Sequence, residues 1–399
     1  MLQGKTVLLG VTGGIAAYKM PNVARMLKKM HCNVHVLMTQ NATNFITATT
    51  FETLTGNKCL IDTFDRNFEF SVEHVALAKQ ADLVFIAPAT ANVIGKIAGG
   101  IADDMLTTTV MACTCKVLVA PAMNHNMYHN SIVQENLEKL KRHGYEIIDP
   151  VCGMLANGDT GDGKLPSEDT LVEYILREIA FEKDMQGLKV LVTAGPTQEA
   201  IDPVRFISNH STGKMGYAIA KNAMLRGADV TLVTGKTSLE PPMFVKTIPV
   251  TSAKDMYQAV TERAKEQDII VKAAAVADYT PAHTADEKIK KSEGELSLTL
   301  QKTTDILAEL GKNKGNTVLC GFSMETEHML ENSRTKRKKK NLDMIAANNL
   351  KQQGAGFAGD TNVLTLITED WEKELALMSK DEAAKCLLDE LLKIKKNKK

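Results

Sequence analysis

Two stretches of this sequence combine an apolar run with a glycine turn, an arrangement that commonly binds phosphate groups. Near the N-terminus, KTVLLG runs into Val11, Thr12, Gly13 and Gly14, and in the middle of the chain KVLVTAGP is followed by an STGK segment that starts at Ser211. A strand, a glycine turn and a helix start point backbone N–H groups at an anion. Because a compact fold seldom begins twice, we predict two nucleotide-binding domains.

The first half of the chain alternates apolar strands with helical patterns. The strand patterns cover residues 5–10, 33–38, 82–87, 116–120 and 145–148, which predicts a parallel sheet whose ligands bind beyond the strand carboxyl ends. Small and hydroxyl-bearing residues occupy those ends, and Thr39 stands where an NAD site has an acid, so FMN is favoured over NAD. The expected cofactor-binding residues are Thr12, Gly13, Gly14, Thr39, Pro88, Ala89, Thr90 and Ala91.

Four motifs follow one another in this half, and they are VTGGIAAYK, HVALAKQADLVFIAPATAN with His74, DDMLTTT, and PAMNHNMY with Asn124. Singly each is weak, since a lone histidine near a helix start is more often a satisfied polar residue. Together they closely resemble the flavin-dependent cysteine decarboxylases, a family that includes phosphopantothenoylcysteine decarboxylase, over about residues 4–185. The resemblance implies FMN, His74 as the catalytic histidine, Asn124 on the substrate carboxylate, and a homo-oligomer.

One segment departs from the family pattern. Residues 153–165, GMLANGDTGDGKL, resemble the family's mobile substrate clamp, but Asn157 stands where the family has a cysteine that donates a proton in the final reduction. Cys152, five residues upstream, and an ordered water both stay open as the proton source. A buried or incidental thiol is the alternative for Cys152.

The sequence predicts a domain boundary between residues 186 and 187, after an amphipathic helix at 167–183 with Ser167 as its N-cap. Predicted strands of the second domain are 188–194, 228–233, 244–249, 268–273, 317–321, 342–346 and 363–367. Predicted helices are 213–226, 253–266, 303–312, 324–340 and 379–395. The predicted fold class is α/β, with two doubly wound parallel-sheet domains, the first (1–186) flavodoxin-like and the second (187–399) Rossmann-like.

The second half closely resembles the phosphopantothenate–cysteine ligases of the bacterial, CTP-using type, over residues 188–399. The motifs are VKAAAVADY at 271–279, EKIKK at 287–291, KTTDIL at 302–307 and TKRKKKNLD at 335–343. The resemblance implies an acyl-cytidylate that Asn209 holds and whose turnover involves Arg205. It assigns CTP contacts to Asp278, Lys288, Thr304, Asp305, Ile306, Leu307, Phe322, Lys336 and Lys340.

The two resemblances imply two consecutive steps of coenzyme A biosynthesis, because the ligase makes the substrate of the decarboxylase. The expected partners are the small molecules phosphopantothenate, cysteine and CTP, with FMN and Mg²⁺ as cofactors and with unassigned metal ligands. Two other readings stay open: a two-domain Rossmann oxidoreductase, and a flavin-binding regulatory protein with a decarboxylase-like fold.

Composition fits this interpretation. The chain has 399 residues, which exceeds the size at which single cores stop growing, and its formal net charge is zero. No apolar run approaches the roughly 18 residues of a membrane span, and seven cysteines without framework spacing suit a cytoplasmic protein. The basic run 334–340 lacks aromatic residues for base stacking, so we expect no nucleic-acid partner and no membrane partner.

Overall fold

The computed structural model describes residues 1–64, 73–154, 158, 160–290, 295–325, 328–349 and 359–398. The chain divides into two compact units, residues 1–181 and 182–399. The segment that follows residue 181 is bonded to the second unit, since the Asp184 carboxylate accepts hydrogen bonds of 2.8 and 2.6 Å from Arg226. The predicted boundary after residue 186 therefore lies five residues beyond the division seen in the structure.

The first unit is built on a five-stranded parallel sheet. Its strands are β1 (Thr6–Val11), β2 (Asn33–Met38), β3 (Leu83–Ala89), β4 (Lys116–Pro121) and β5 (Glu146–Ile147), and an antiparallel hairpin follows, β6 (Val151–Met154) and β7 (Thr160–Lys164). Its helices are α1 (Met20–Lys29), α2 (Ala48–Thr55), α3 (Glu73–Gln80), α4 (Ala91–Gly99), α5 (Met105–Ala112), α6 (His125–Tyr128), α7 (Ser131–Arg142) and α8 (Glu168–Ile179).

The strand order of this sheet is β2-β1-β3-β4-β5, the flavodoxin-like order. Every residue of β1 and of β3 is buried, because helices cover both faces of a parallel sheet. The order reverses between β1 and β3, so their carboxyl ends border the crevice in which such sheets bind ligands. The helical segment after β1 begins as a 3₁₀ turn, Ile15–Lys19, and Pro21 stands in the first turn of α1, where its missing N–H costs nothing.

The described residues of the second unit form an eight-stranded sheet, several short strand pairs and five helices. Its strands are β8 (Lys189–Ala194), β9 (Gln198–Ala200), β10 (Phe206–Ser208), β11 (Asp229–Thr234), β12 (Lys246–Pro249), β13 (Ile269–Lys272), β14 (Tyr279–Pro281), β15 (Leu300–Lys302), β16 (Val318–Glu325), β17 (Met344–Asn349), β18 (Thr361–Asn362), β19 (Leu364–Ile367), β20 (Glu372–Glu374) and β21 (Met378–Ser379). Its helices are α9 (Lys214–Leu225), α10 (Ala253–Ala264), α11 (Ile306–Lys312), α12 (Met329–Lys339) and α13 (Lys380–Asn397).

The order of the large sheet is β12-β11-β8-β13-β16-β17-β19-β20. The first six strands are parallel and follow the Rossmann order, whereas β19 and β20 add an antiparallel edge. The predicted fold class is thereby confirmed. The predicted helix at 324–340 starts later, at Met329, because β16 continues to Glu325 in register with β17.

Each unit has its own apolar core. In the first, Leu8, Ile86 and Val119 belong to one buried cluster, and in the second Leu191 and Ile270 belong to another. Ser167 caps α8 as predicted, since its hydroxyl accepts from the Thr170 N–H at 3.2 Å. Within the described ranges, we find no helix with the length and apolar character that a membrane span requires.

Candidate active sites

The buried hydroxyl of Thr12 joins the two loops at the crevice of the first unit. It donates to the Pro88 carbonyl at 2.6 Å and accepts from the Thr90 N–H at 3.1 Å. Thr90 in turn accepts from the Val93 N–H at 3.4 Å and so caps α4, which begins at Ala91. One side chain thereby holds the carboxyl ends of β1 and β3 together.

Two further contacts place the remaining predicted cofactor residues at the same edge. The Thr39 N–H donates to the Val11 carbonyl at 3.0 Å, which keeps the end of β2 beside the end of β1. A Cβ on Gly13 would lie 2.5 Å from the Cβ of Asn41, so only glycine fits against the turn after Thr39. Together with Gly14 and Ala89, these residues form a lining of hydroxyl groups and small side chains. Small side chains suit a flat ring, and the Thr39 and Thr90 hydroxyls can bond a phosphate, which fits a flavin nucleotide.

Asn124 lies at the carboxyl end of β4 and caps the short helix α6. Its side-chain oxygen accepts from the Asn126 N–H at 2.9 Å. With the oxygen held in this way, the amide NH₂ is the end that can donate to a carboxylate. The neighbouring Met123 N–H donates to the Gly163 carbonyl at 3.1 Å, so the β6–β7 hairpin is bonded to the segment that carries Asn124.

Gly163 makes this contact possible. Its φ is +127°, and a Cβ there would lie 2.2 Å from the Met123 carbonyl oxygen. No other residue could hold the hairpin as close to Asn124. The segment 153–165, which resembles the family's mobile clamp, thus contains a glycine that fixes its second strand, β7.

His74 is the second residue of α3 and is half-buried. Because α3 leads into the parallel strand β3, its N-terminal end lies toward the carboxyl edge of the sheet, where Thr12 and Asn124 also lie. The DDMLTTT motif has a structural role at the same edge. Asp104 caps α5 by accepting from the Thr107 N–H at 2.8 Å and pairs with Lys96 at 3.0 Å.

Asn157 lies outside the described residues. Cys152 lies within them, on β6, and is exposed. Its backbone is directly opposite Asp162 of β7 in the antiparallel hairpin, so both side chains project from the same face.

The second unit has a cavity of about 440 Å³ at the carboxyl edge of its large sheet. Five of the six charged side chains that line it are lysines, and Asp278 is the only carboxylate among its described lining residues; the lysines are Lys214, Lys272, Lys336, Lys340 and Lys380. Of the predicted site residues, Asn209, Asp278, Leu307, Phe322, Lys336 and Lys340 line this cavity. These six residues come from two loops, from α11, from β16 and from the C-terminal end of α12, and the fold brings them to one cavity.

Asp305 joins the predicted CTP segment 304–307 to Lys340. Its carboxylate accepts from the Ala308 N–H at 3.1 Å, which caps α11, and lies 2.8 Å from the Lys340 ammonium. Burial raises the pKa of Asp305, but the hydrogen bonds from Lys340 and Ala308 outweigh it and hold this pKa below its usual value. Thr304 and Ile306 flank Asp305 and do not line the cavity.

Lys272, at the end of β13, is the most perturbed lysine of this cavity. Burial lowers its pKa to about 8, and the charge of Lys340 lowers it further, whereas Asp305 and Asp278 act in the opposite direction. A lysine with this pKa is only partly protonated near pH 8. It is therefore mostly charged at pH 7 and loses its charge as the pH rises through 8, unless an anion in the cavity favours the charged form.

Asp202 anchors the predicted residues Arg205 and Lys288, which are not among the residues that line the cavity. The buried Asp202 carboxylate accepts from the N–H groups of Arg205, at 2.7 Å, and of Ile289, at 3.2 Å. Burial raises the pKa of this carboxyl, but these N–H bonds and the one from Val204 lower it more, so the pKa lies below its usual value. The Arg205 guanidinium also donates to the Ile289 carbonyl at 3.2 Å, next to the exposed Lys288.

Sequence reasoning missed Lys214, Lys272 and Lys380 as members of this site. Lys272 lies inside the VKAAAVADY motif, and its position at the end of an apolar strand was a usable signal. Lys214 and Lys380 begin helices α9 and α13, and both contact the segment at residues 359–360: Lys214 pairs with Asp360 at 2.6 Å, and Lys380 donates to the Gly359 carbonyl. Asn209 was predicted, and its amide donates to the Ala275 carbonyl at 3.1 Å.

Comparisons with known proteins cover nearly the whole chain. The flavoprotein family matches residues 1–180, and the DNA/pantothenate metabolism flavoprotein C-terminal domain family matches residues 185–394. The Coenzyme A biosynthesis bifunctional protein CoaBC of Bacillus subtilis (strain 168) is 45% identical over 400 residues, which cover 99% of this chain and 98% of that protein. The chain belongs to the family of bifunctional coenzyme A biosynthesis proteins. The protein of the same name from Escherichia coli (strain K12) is 42% identical over 395 residues, covering 98% of this chain and 97% of that protein.

Among solved structures, the crystal structure of the C-terminal domain of a Coenzyme A biosynthesis bifunctional protein CoaBC is 39% identical, covers 54% of this chain and 100% of that chain, and has a TM-score of 0.48. Family membership confirms the resemblance stated from the sequence, and the match of the first unit to the flavoprotein family supports a flavin as its cofactor. The roles of individual site residues, the boundary at residue 186, the cytoplasmic location and the homo-oligomeric state stay predictions.

Proposed function

We propose that this chain ligates cysteine to 4′-phosphopantothenate in its second unit, using CTP, and decarboxylates the product to 4′-phosphopantetheine in its first unit, using FMN. The enzyme thus performs two consecutive steps of coenzyme A biosynthesis, as ligase and as decarboxylase. The observation that carries the proposal is the cavity at the end of the second sheet, where five lysines face one carboxylate. This excess of positive charge suits a nucleoside triphosphate that must meet a second anion.

In the ligase step, the carboxylate of phosphopantothenate bonds to the α-phosphorus of CTP and pyrophosphate leaves. The amine of cysteine then attacks the acyl carbon, CMP departs, and an amide results. Lys336 and Lys340 neutralise the triphosphate and the departing pyrophosphate, and Lys288 adds a cation from its loop. Asn209 holds the acyl-cytidylate, and Arg205 contributes to its turnover.

Mg²⁺ fits this cavity as a companion of the triphosphate. Proteins usually hold Mg²⁺ through one or two carboxylates together with substrate phosphates and water. Asp278 is the carboxylate that the described lining offers for this role. The lysines around Asp278 would repel a Mg²⁺ ion that was held by protein ligands alone, without the phosphates.

In the decarboxylase step, the bound flavin supplies a hydride acceptor for the cysteine thiol end and later a hydride donor. Thr39 and Thr90 offer hydroxyl groups to it, and Thr12 joins the two loops that hold it. The Asn124 amide donates to the substrate carboxylate and orients it without adding a positive charge that would oppose the loss of CO₂. His74 takes the thiol proton, a task that suits an imidazole near neutral pH.

For the final reduction, Cys152 serves as the proton donor in place of the family cysteine that is replaced by Asn157. The thiol is exposed on the hairpin whose second strand is bonded to Met123, next to Asn124. An amide such as Asn157 is far too weakly acidic for this task, whereas a thiol has an unperturbed pKa of about 8.5. Cys152→Ser should release CO₂ but accumulate the ene-thiol product, and full conversion by this variant would assign the proton to water instead.

The complete proposal is tested by mass spectrometry of the products from phosphopantothenate, cysteine and a nucleotide. We expect phosphopantetheine, CMP, pyrophosphate and CO₂ with CTP and much less product with ATP, from a purified yellow protein that releases FMN on denaturation. Hydride transfer to NAD with no amide product would favour the Rossmann oxidoreductase. A yellow protein with neither reaction would favour the regulatory protein.

A further inference from the structure

Two histidines and an aspartate form a compact cluster that neither proposed activity uses. His125 begins α6, and His129 follows its last residue, so the four-residue spacing puts both rings on one side of the helix. The ring centroids are 4.4 Å apart, and His129 Nε2 lies 3.2 Å from Asp162 Oδ2 on β7. One nitrogen or oxygen from each of the three residues lies within 4.8 Å of the other two.

These distances are close to those of a tetrahedral zinc site. Zinc bonds to imidazole nitrogen and carboxylate oxygen are about 2.0–2.2 Å long, which places neighbouring donor atoms roughly 3.3 Å apart. The His129–Asp162 pair already has this separation, and the longest separation has to shorten by at most about 1.5 Å. The side chains of His129 and Asp162 are 49% and 45% exposed, so rotamer changes of that size meet little resistance.

His125 supplies a second, independent observation. Its Nδ1 is buried and has no hydrogen-bond partner among the described residues. The ring lies against Gly161, where an added Cβ would be 3.0 Å from Nδ1, so the nitrogen faces the hairpin rather than solvent. A buried ring nitrogen without a hydrogen-bond partner destabilises the fold. A metal ion bound by His125, His129 and Asp162 would offset this cost.

We propose that His125, His129 and Asp162 bind a divalent transition-metal ion, with Zn²⁺ as the preferred ion and one coordination position left open. Two imidazoles and one carboxylate suit Zn²⁺, whereas Mg²⁺ and Ca²⁺ select oxygen ligands. The ion joins α6 to β7 directly beside Asn124, at a place where the Met123–Gly163 hydrogen bond already connects them. The site is separate from the Mg²⁺ that accompanies the triphosphate in the other unit.

The test is a calorimetric titration of the full-length flavin-loaded protein with ZnCl₂, in the presence of millimolar Mg²⁺ and a thiol-free reductant. Three variants, His125→Gln, His129→Gln and Asp162→Asn, each remove one ligand with little change in shape. His143→Gln is the matched control, because His143 directly follows α7 and belongs to no such cluster in the part of the chain that the structure describes. Cys115→Ser measures any Zn²⁺ bound by the Cys113 and Cys115 thiols.

We expect one site in the wild type that each ligand variant weakens by at least ~100-fold, since loss of even an outer-shell partner typically weakens metal binding ~10–100-fold. His143→Gln and Cys115→Ser should retain it. Equal binding by the wild type and the ligand variants would overturn the proposal. Zinc-edge X-ray absorption of the wild type gives an answer that does not depend on how the variants fold: nitrogen and oxygen neighbours support the site, and sulfur neighbours refute it.

Discussion

The ammonium of Lys340 lies 2.8 Å from the carboxylate of Asp305, and the other oxygen of that carboxylate caps α11. One side chain therefore fixes the start of a helix and also positions a lysine that lines the cavity of the second unit. Since the pair is partly exposed, we expect the cap to contribute more to stability than the ion pair.

Two substitutions of Asp305 separate these contributions. Asp305→Ala should lower the free energy of unfolding of the second unit by about 1 kcal/mol, because the helix loses its cap. Asp305→Asn should lower it by less, since asparagine caps as well as aspartate and only the exposed ion pair is lost, worth ~0–1 kcal/mol. Urea unfolding of the two variants decides the matter, and an equal loss in both would show that the ion pair dominates.

His74→Asn should reduce CO₂ release by ~10²–10⁴-fold, the usual contribution of a positioned acid–base group. The variant should keep its flavin spectrum and its ligase rate, because His74 belongs to the first unit and lies on α3 rather than on the loops that Thr12 joins. His143→Asn, at the end of α7, is the control. Near wild-type decarboxylation by the His74 variant would exclude His74 as the base.

Ligation should depend on pH through Lys272. Its folded-state pKa of about 8 lies below the usual lysine value, so the folded enzyme loses this proton as the pH rises through 8. Because the charged form binds the triphosphate better, kcat/KM for CTP should fall across this range, as this parameter reports the free enzyme.

Lys272→Arg supplies the comparison, since a guanidinium stays protonated. In this variant the fall near pH 8 should disappear, whatever the absolute rate. Lys290→Arg, an exposed residue in the loop of Lys288, should keep the wild-type profile. An unchanged fall in Lys272→Arg would show that another group titrates.

Asp184 should stabilise the second unit although it precedes the predicted boundary. Arg226 is 5% exposed and donates two hydrogen bonds to Asp184, so Asp184→Ala should cost about 1.5–3 kcal/mol of unfolding free energy. Glu182→Ala, two residues away and exposed, should change it by no more than ~0.5 kcal/mol. A fragment 182–399 should accordingly be more stable to urea than 187–399, and equal stability would assign no role to the Asp184–Arg226 pair.

Much of the fold followed from local patterns. Each of the strands β1, β3, β8 and β13 contains a run of apolar residues, because helices cover both faces of their sheets, and such a run can be recognised in the sequence. The end of β16 was misjudged because its last residues pair with β17, a contact with no local signature. The contact of Asp184 with the second unit has no local signature either, since the Asp184–Arg226 pair joins residues 42 positions apart.

The residues of the candidate site likewise divide into those with a local sequence signature and those without one. Asp278 and Lys340 belong to motifs whose residue types suit nucleotide chemistry, Asn209 came from the family resemblance, and all three line one cavity. Lys214 belongs to the STGK segment but received no site role, and Lys380 was not singled out, because each is an ordinary lysine in the first turn of a helix. Only the folding of α9 and α13 around the same edge gives them a shared role.

The Asp202 carboxylate, which accepts from both the Arg205 and the Ile289 N–H groups, has a consequence for re-engineering this enzyme. The turn assigned to the acyl group and the loop assigned to the nucleotide share one anchor, so neither can be exchanged as an independent module. A nucleotide loop taken from a relative with another nucleotide preference would bring a backbone N–H whose position suits the carboxylate of that relative rather than Asp202. Chimaeras of this enzyme will therefore need residues 198–208 and 285–290 to be exchanged together.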